Sequence, residues 1–455
     1  MGEIVTEKCG NLNLGVPGIM YLGGFAGFAS AYLYENTATN PNMALCVVIS
    51  LLCACQATTA PSVSESALAT SLVSSAESQV QAENAPLTTE QLLEDYDYLW
   101  MALEENYVFF PILEQQGIDI AAIRVDTRAQ IQNQEPDAAM FYETLRQMFL
   151  KCNHFAHLNV VSKDVYDSMA RYYCADGQED SGWKDALERE NVRRFYEDAP
   201  ANAFEQTAPN PAASETIHAE YDDQRKAILI TIRSFAQEKL QQDQQYLQDF
   251  FLSHAEDEVR DIVFDITHNR GGSTLYWNEN IVAPFGGSYT WDTWLYVRDT
   301  ALTRQFLPIE EEYQPIDRLT EEHPAPAFVS ELGLTGVYHH TECLNSDATL
   351  PDNLLSAKRW VLVDDAVYSA AESFAYFCKK TGWATLVGTA TDGDGLGVTP
   401  VMVNLPNTGI LVRFSAQAGE NPDGTCNTER GTKPDYVCNR YESPLSAFDR
   451  VHTEE

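Results

Sequence analysis

The feature that most restricts the fold is a change of hydrophobic period after Thr216. Ala227-Ile-Leu-Ile-Thr-Ile-Arg233 and Ile262-Val-Phe-Asp-Ile266 are short apolar, β-branched runs separated by a helix-like segment, residues 237–255. Arg359-Trp-Val-Leu-Val363 and Ala384-Thr-Leu-Val-Gly388 repeat the arrangement around a second helical segment, residues 370–381. Strands alternating with helices bury their apolar faces most readily in a layered α/β structure, so residues 216–440 are expected to form an α/β core.

Upstream the period is helical. A capping signal precedes an amphipathic run in which Leu92, Tyr96, Leu99 and Leu103 share one face, and residues 138–150 form a second helix carrying Met140, Leu145, Met148 and Phe149. Pro111 and Pro136 break the chain between them. Residues 87–160 therefore read as a helical cap and residues 161–215 as a polar connecting segment with one helix. That segment lacks the Gly-rich carboxylate-binding loop that a peptide-tail-binding domain needs. Residues 300–357, with Glu310-Glu-Glu312 and several prolines, read as irregular and wrapped around the site, and residues 441–455 as a tail.

Residues 1–55 are expected to be a targeting segment. Residues 15–34 are long enough for a membrane span but are weakened by Gly15, Pro17, Gly18, Gly23, Gly24 and Gly27. Residues 43–54 are followed by Cys55 in a Leu-x-Ala-Cys pattern that resembles a bacterial lipoprotein signal, with Cys55 as the lipidated thiol. Residues 56–86 hold few large apolar groups and read as a flexible tether. The globular part is then extracytoplasmic, membrane-anchored or secreted, and touches a membrane only through its N-terminus. Six cysteines remain in the body, of which Cys426 and Cys438 bracket a short loop and are the first pair to test for a disulfide. With 29 Lys+Arg against 67 Asp+Glu, the net charge of -38 repels phosphate backbones, so nucleic acid is excluded as a partner.

Two strand ends carry candidate chemistry. Asp265-Ile-Thr-His-Asn-Arg-Gly-Gly272 ends a buried-type run in paired glycines, whose backbone N–H groups can approach a ligand closely, as an oxyanion hole requires. Ser369 stands where a strand turns into a helix. There it is either an N-cap or a nucleophile, with the Ala370 amide and the helix dipole ready to stabilise an oxyanion. The G-x-S-x-G elbow is absent. Cys152-Asn-His154-Phe-Ala-His157 supplies two imidazoles as candidate bases; no recognised zinc pattern accompanies them, and no metal or other cofactor is implied.

The order of these pieces resembles the C-terminal-processing and tricorn-like serine peptidase family, also called tail-specific proteases, over most of residues 87–438. Asp265, Ile266, Asn269, Gly271 and Gly272 match its D-l-R-x-N-x-G-G, with Thr267 in place of the arginine. Ser369, Ala370 and Glu372 match S-A-x-E; Val387, Gly388, Thr391 and Gly393 match the next strand and T-x-G; Gly431, Pro434 and Asp435 match G-x-x-P-D. Where the processing branch has a catalytic lysine in T-x-G-K-G, this chain has Asp394, which cannot act as a neutral amine. The resemblance therefore implies the tricorn-like branch, with His157, in Ala156-His157-Leu, as the base and His154 as the alternative. Ala156 replaces the serine that precedes the tricorn histidine. Glu429 is the candidate for the acid that orients the imidazole.

The implied fold is a crotonase-like ββα core with an N-terminal helical cap. The implied activity is serine-type peptide hydrolysis through an acyl-enzyme, with Ser369, His157 and Glu429 as the catalytic residues, amides of Gly271 or Gly272 and Ala370 holding the oxyanion, and a peptide or protein as substrate. The alternatives are a catalytically inactive peptidase-fold lipoprotein that binds peptides as a scaffold, and an esterase using the same groups.

Overall fold

The structure is a computed structural model that describes residues 86–175, 181–197, 216–307, 313–321, 323–397 and 399–454. The targeting segment, Cys55 and the tether up to residue 85 lie outside the described residues. Among the described residues no helix is long and apolar enough to cross a membrane.

Six strands form the central sheet: β1 (Ile217–Asp222), β2 (Ala227–Ile232), β3 (Asp261–Asp265), β4 (Lys358–Val363), β5 (Thr385–Gly388) and β6 (Tyr436–Val437). They lie side by side in chain order. β1 and β2 are an antiparallel hairpin, and every later pair is parallel. The β3 sequence Asp-Ile-Val-Phe-Asp is buried at four consecutive positions, as a strand covered on both faces requires.

The N-terminal helices begin with α1 (Thr89–Asn106), α2 (Ile120–Asn133) and α3 (Ala138–Leu150). Thr88 closes a reciprocal capping box with Gln91 at the start of α1, a device worth about 1 kcal/mol. Leu92, Tyr96, Leu99 and Leu103 are all fully buried, as the periodicity predicts. They share one core with Leu405, Ile410, Leu411, Val412 and Phe414 from the C-terminal third of the chain, so the cap is not a separate layer. A small antiparallel sheet, Asn159–Val160, Leu411–Phe414 and Val401–Asn404 in that order, lies at this junction. Its outer turn is pinned by the buried Asp95 of α1, which accepts from the backbone N–H groups of Asn407 and Thr408.

Downstream helices are α4 (Leu240–Ser253), α5 (Ala370–Thr381) and α6 (Pro444–Glu454). The helix expected over residues 237–255 starts as a 3-10 turn, Gln237–Lys239, before α4. Three further expectations need correction. The described residues of the segment 161–215 hold three helices, Lys163–Tyr173, Gly182–Leu187 and Glu190–Glu197. The tail contains α6, whose Ala447, Phe448 and Val451 pack on Val263, Trp360, Leu362 and Val387 of the sheet.

Residues 300–357 are not simply irregular. Gly336–Ser346 is an eleven-residue strand paired antiparallel along its whole length with Gly287–Val297. Its alternating exposed and half-buried residues, among them His339, Thr341 and Asn345, leave no apolar run for a sequence reading to detect.

Candidate active site

Three neighbouring parallel strands deliver the site loops from their carboxyl ends, the edge where open α/β sheets hold their ligands. β3 leads to Gly271-Gly272, β4 to Ser369 and β5 to Asp394. A fourth contribution, His157, comes from the 3-10 turn Phe155–His157 just before the small sheet. Asn153, His154, Ala156 and His157 all have positive φ, a costly run that only a surrounding structure can hold in place.

Ser369 caps α5 with φ 57 and ψ -125, and its side chain caps no helix amide. Its N–H donates to Gly393 at 3.1 Å and its carbonyl accepts from Ser373 at 2.9 Å, which leaves Oγ free to face His157. The Nε2 of His157 lies 3.1 Å from Ser369 Oγ. On the other side of the ring, Nδ1 lies 2.5 Å from Asp394 Oδ2 and 3.1 Å from Ser415 Oγ.

Asp394 Oδ2 also accepts from Tyr368 Oη at 2.7 Å and from Ser415 Oγ at 2.9 Å. Burial raises the Asp394 carboxyl, but the charge of His157 and the hydrogen bonds from His157, Tyr368 and Ser415 outweigh it and hold the group below its ordinary value. Tyr368 further accepts the backbone N–H of His157 at 2.9 Å. The phenol therefore fixes both the imidazole's backbone and its acid.

Glu429 does not fill the orienting role expected of it. Its carboxylate pairs with the adjacent Arg430 at 2.8 Å, and the Nδ1 position is occupied by Asp394. The sequence signal for Asp394 was its place in the T-x-G-K-G stretch, read there only as the loss of a lysine. Ser415, missed altogether, reaches the same Nδ1 from the end of Leu411–Phe414. His154 stays outside this group: its Nδ1 approaches the Leu158 carbonyl at 3.4 Å.

The glycine turn is partly as expected. Gly271 has φ +95, and a Cβ there would lie 2.8 Å from the Ala370 nitrogen; at Gly272, φ +139, it would lie 2.3 Å from the Phe235 carbonyl oxygen. Only glycine fits either position. The Gly271 N–H is committed to the Asn269 side chain at 2.9 Å, so it is not an available oxyanion donor. The N–H groups of Gly272 and Ala370 take no acceptor among the described residues, and Ala370 opens a twelve-residue helix whose dipole favours negative charge there.

The guanidinium missing at Thr267 comes from the neighbouring strand. Arg233, just after β2, binds Asp265 through two N–H groups at 2.9 and 2.7 Å and the Thr267 carbonyl at 2.7 Å. Below the nucleophile, the fully buried Glu372 accepts from Thr432 Oγ1, Asn427 Nδ2 and Thr391 Oγ1. It thereby ties α5 to the loop that carries Asp394. Burial pushes its carboxyl up to about 7, the three hydrogen bonds opposing the rise.

A cavity of about 610 Å³ adjoins the site, lined by Thr274, Ser373 and Gly395, which follow the Gly271-Gly272 turn, Ser369 and Asp394 in the chain, and by Trp277, Trp291 and Tyr376. All six body cysteines are free thiols, so Cys426 and Cys438 are not bonded to each other.

Residues 226–438 match the sequence model described as peptidase family S41. No curated protein matches the chain. Among solved structures, mature CPAF is 14% identical, with 79% of this chain and 94% of that one covered and a TM-score of 0.44. A lipoprotein from Streptococcus agalactiae is 12% identical, with 81% and 98% covered and a TM-score of 0.41. The photosystem II D1 C-terminal processing protease is 14% identical, with 78% and 94% covered and a TM-score of 0.35. The chain carries a peptidase family S41 domain and is a serine-type peptidase.

Proposed function

We propose that this peptidase works through an acyl-enzyme on Ser369, with His157 as general base and Asp394 as the acid that orients and stabilises the imidazole. His157 Nε2 takes the hydroxyl proton as Oγ attacks the peptide carbonyl. The tetrahedral oxyanion is held by the N–H groups of Gly272 and Ala370, and its collapse passes the proton from His157 to the leaving amine. Water, deprotonated in turn by His157, hydrolyses the ester and returns Ser369. The single observation that carries this reading is the 3.1 Å approach of His157 Nε2 to Ser369 Oγ.

The cavity beside α5, lined by Trp277, Trp291 and Tyr376 together with Glu279 and Glu342, is where we place a side chain of the peptide substrate. We read the β-strand and helix layers as a crotonase-like core. We further propose an extracytoplasmic enzyme anchored by lipid on Cys55, on the strength of the apolar segment and the Leu-x-Ala-Cys pattern.

The test is a fluorophosphonate probe. Wild type is expected to label, Ser369→Ala not at all and His157→Ala far more slowly; a folded but unlabelled wild type sinks the reading. Peptide and ester substrates of matched sequence separate a peptidase from an esterase. Incorporation of labelled palmitate, lost in Cys55→Ser, tests the anchor.

A further inference from the structure

The cavity beside α5 has the nucleophile's own helix as one wall. Ser373, a turn after Ser369, lines it, as does Gly395, which packs so close that a Cβ there would lie 2.4 Å from the Ser369 carbonyl oxygen. The facing wall is one side of the hairpin Gly287–Val297 and Gly336–Ser346. Trp291 stands opposite Glu342 and Thr293 opposite His340 in that pairing. Side chains two residues apart on a strand share a face, so all four reach the same cavity.

The carboxylates in these walls have no cation to answer them. Glu279 and Glu342 line the cavity, and among the described residues around it there is no lysine or arginine. Both glutamates are half-buried. Lys380 reaches the Tyr376 ring at 5.9 Å but forms an ion pair with neither. Glu342 is also held in orientation: the buried Thr293 hydroxyl donates to its Oε1 at 3.0 Å, and no hydrogen bond among the described residues reaches Oε2. Two further oxygens of the lining, Asn278 Oδ1 and Ser346 Oγ, are buried without a hydrogen-bond partner among the described residues. Leaving such an atom unpaired costs about 1–3 kcal/mol, which a ligand rich in N–H donors can offset.

Trp277, Trp291 and Tyr376 supply the apolar part of the lining. That surface suits the methylene stem of a long side chain, and aromatic rings attract a cation. Lysine and arginine join such a stem to a positive tip that only donates hydrogen bonds. The net charge of -38 draws cationic peptides toward the protein as a whole.

We propose that this cavity selects a lysine or arginine side chain of the substrate next to the cleaved bond, with Glu342 as the specificity-determining residue and Glu279 in support. The stem lies among the three aromatic rings, and the tip donates to the Glu342 carboxylate. The proposal rests on the peptidase reading given above and deepens its account of the cavity.

The test uses the full chain at pH 8 and quenched-fluorescent peptides of one sequence, N-acetylated and C-amidated, with Lys, Arg, Met, Gln or Glu in turn at each position flanking the cleaved bond. The Gln member is also made with a free N-terminal amine. At one of these positions kcat/KM for Lys or Arg is expected to exceed that for Met and Gln by roughly 10- to 100-fold, as a hydrogen bond between charged groups allows, with Glu the poorest. Glu342→Gln is expected to bring the Lys-to-Gln ratio close to one, and Glu342→Lys to make Glu better than Lys. Glu279→Gln lowers the ratio by a smaller factor.

Fluorescence anisotropy of the same peptides, tagged, on Ser369→Ala should rank them in the same order. This arm reads the preference without turnover, so basic peptides that bind best but are not hydrolysed count against the peptidase reading alone. Three results overturn the proposal: a wild type that does not favour Lys or Arg in either assay, a preference that follows the free N-terminal amine instead of the side chain, or a Glu342→Gln variant that weakens every peptide equally.

Discussion

The Nδ1 atom of His157 and the Oδ2 atom of Asp394 lie 2.5 Å apart, although 237 positions separate them in the chain. The carboxylate sets which ring nitrogen carries the proton, and so leaves Nε2 as the acceptor for Ser369. Asp394→Asn keeps the shape but loses the charge that stabilises the imidazolium. By comparison with other acid-oriented histidines, kcat is expected to fall about 10³- to 10⁴-fold with KM changed only a few-fold. Steady-state kinetics on a peptide substrate measure it, and a loss under tenfold would remove Asp394 from the mechanism.

The Gly272 N–H points away from Phe235, because its neighbours Gly271 and Ser273 carry the hydrogen bonds to that residue. Gly272→Ala would drive a Cβ into the Phe235 carbonyl, 2.3 Å away, and swing the amide out of line. The expected result is a rate loss of about 10²- to 10³-fold, the usual cost of one oxyanion donor, together with a lower melting temperature. A variant with full fluorophosphonate reactivity would show that the amide is not used.

Glu372 makes stability depend on pH. Its carboxyl is raised from 4.5 to about 7 in the folded protein by burial, so the folded state holds the proton more tightly than the unfolded chain. The stabilisation is complete below the unfolded value and is lost as pH rises through about 7. The loss at higher pH is on the order of 3 kcal/mol. Glu372→Gln remains uncharged at every pH, and its amide oxygen can still accept a hydrogen bond from the groups around it. Urea unfolding midpoints at pH 5 and pH 8 should differ less in this variant than in wild type; an equal difference would rule out Glu372 as the source.

Asp95 joins α1 to the turn that precedes Leu411–Phe414, through the N–H groups of Asn407 and Thr408 and the Thr408 hydroxyl. Asp95→Ala leaves these buried donors without an acceptor. Stability is expected to drop by about 2–4 kcal/mol, with kcat reduced because Ser415, which touches His157 and Asp394, directly follows that ribbon. Calorimetry and peptide kinetics on the same preparation test both effects.

What the sequence determined by itself was local. The bounds of α5, residues 370–381, and the buried stripe of Leu92, Tyr96, Leu99 and Leu103 follow from spacings of three and four residues, which the chain displays directly. The motif order pointed to Ser369, His157 and the glycine turn because each is a short run of unusual residue types. The long strands Gly287–Val297 and Gly336–Ser346 escaped, since polar and aromatic residues alternate on surfaces that are only partly buried.

Tertiary structure decided the rest. Asp394 supplants Glu429, and Gly272 rather than Gly271 offers a free amide, because hydrogen-bond partners are chosen by which loops meet above the adjacent strands β3, β4 and β5. That meeting depends on the order of strands in the sheet, a property of distant pairings that no neighbouring residues encode.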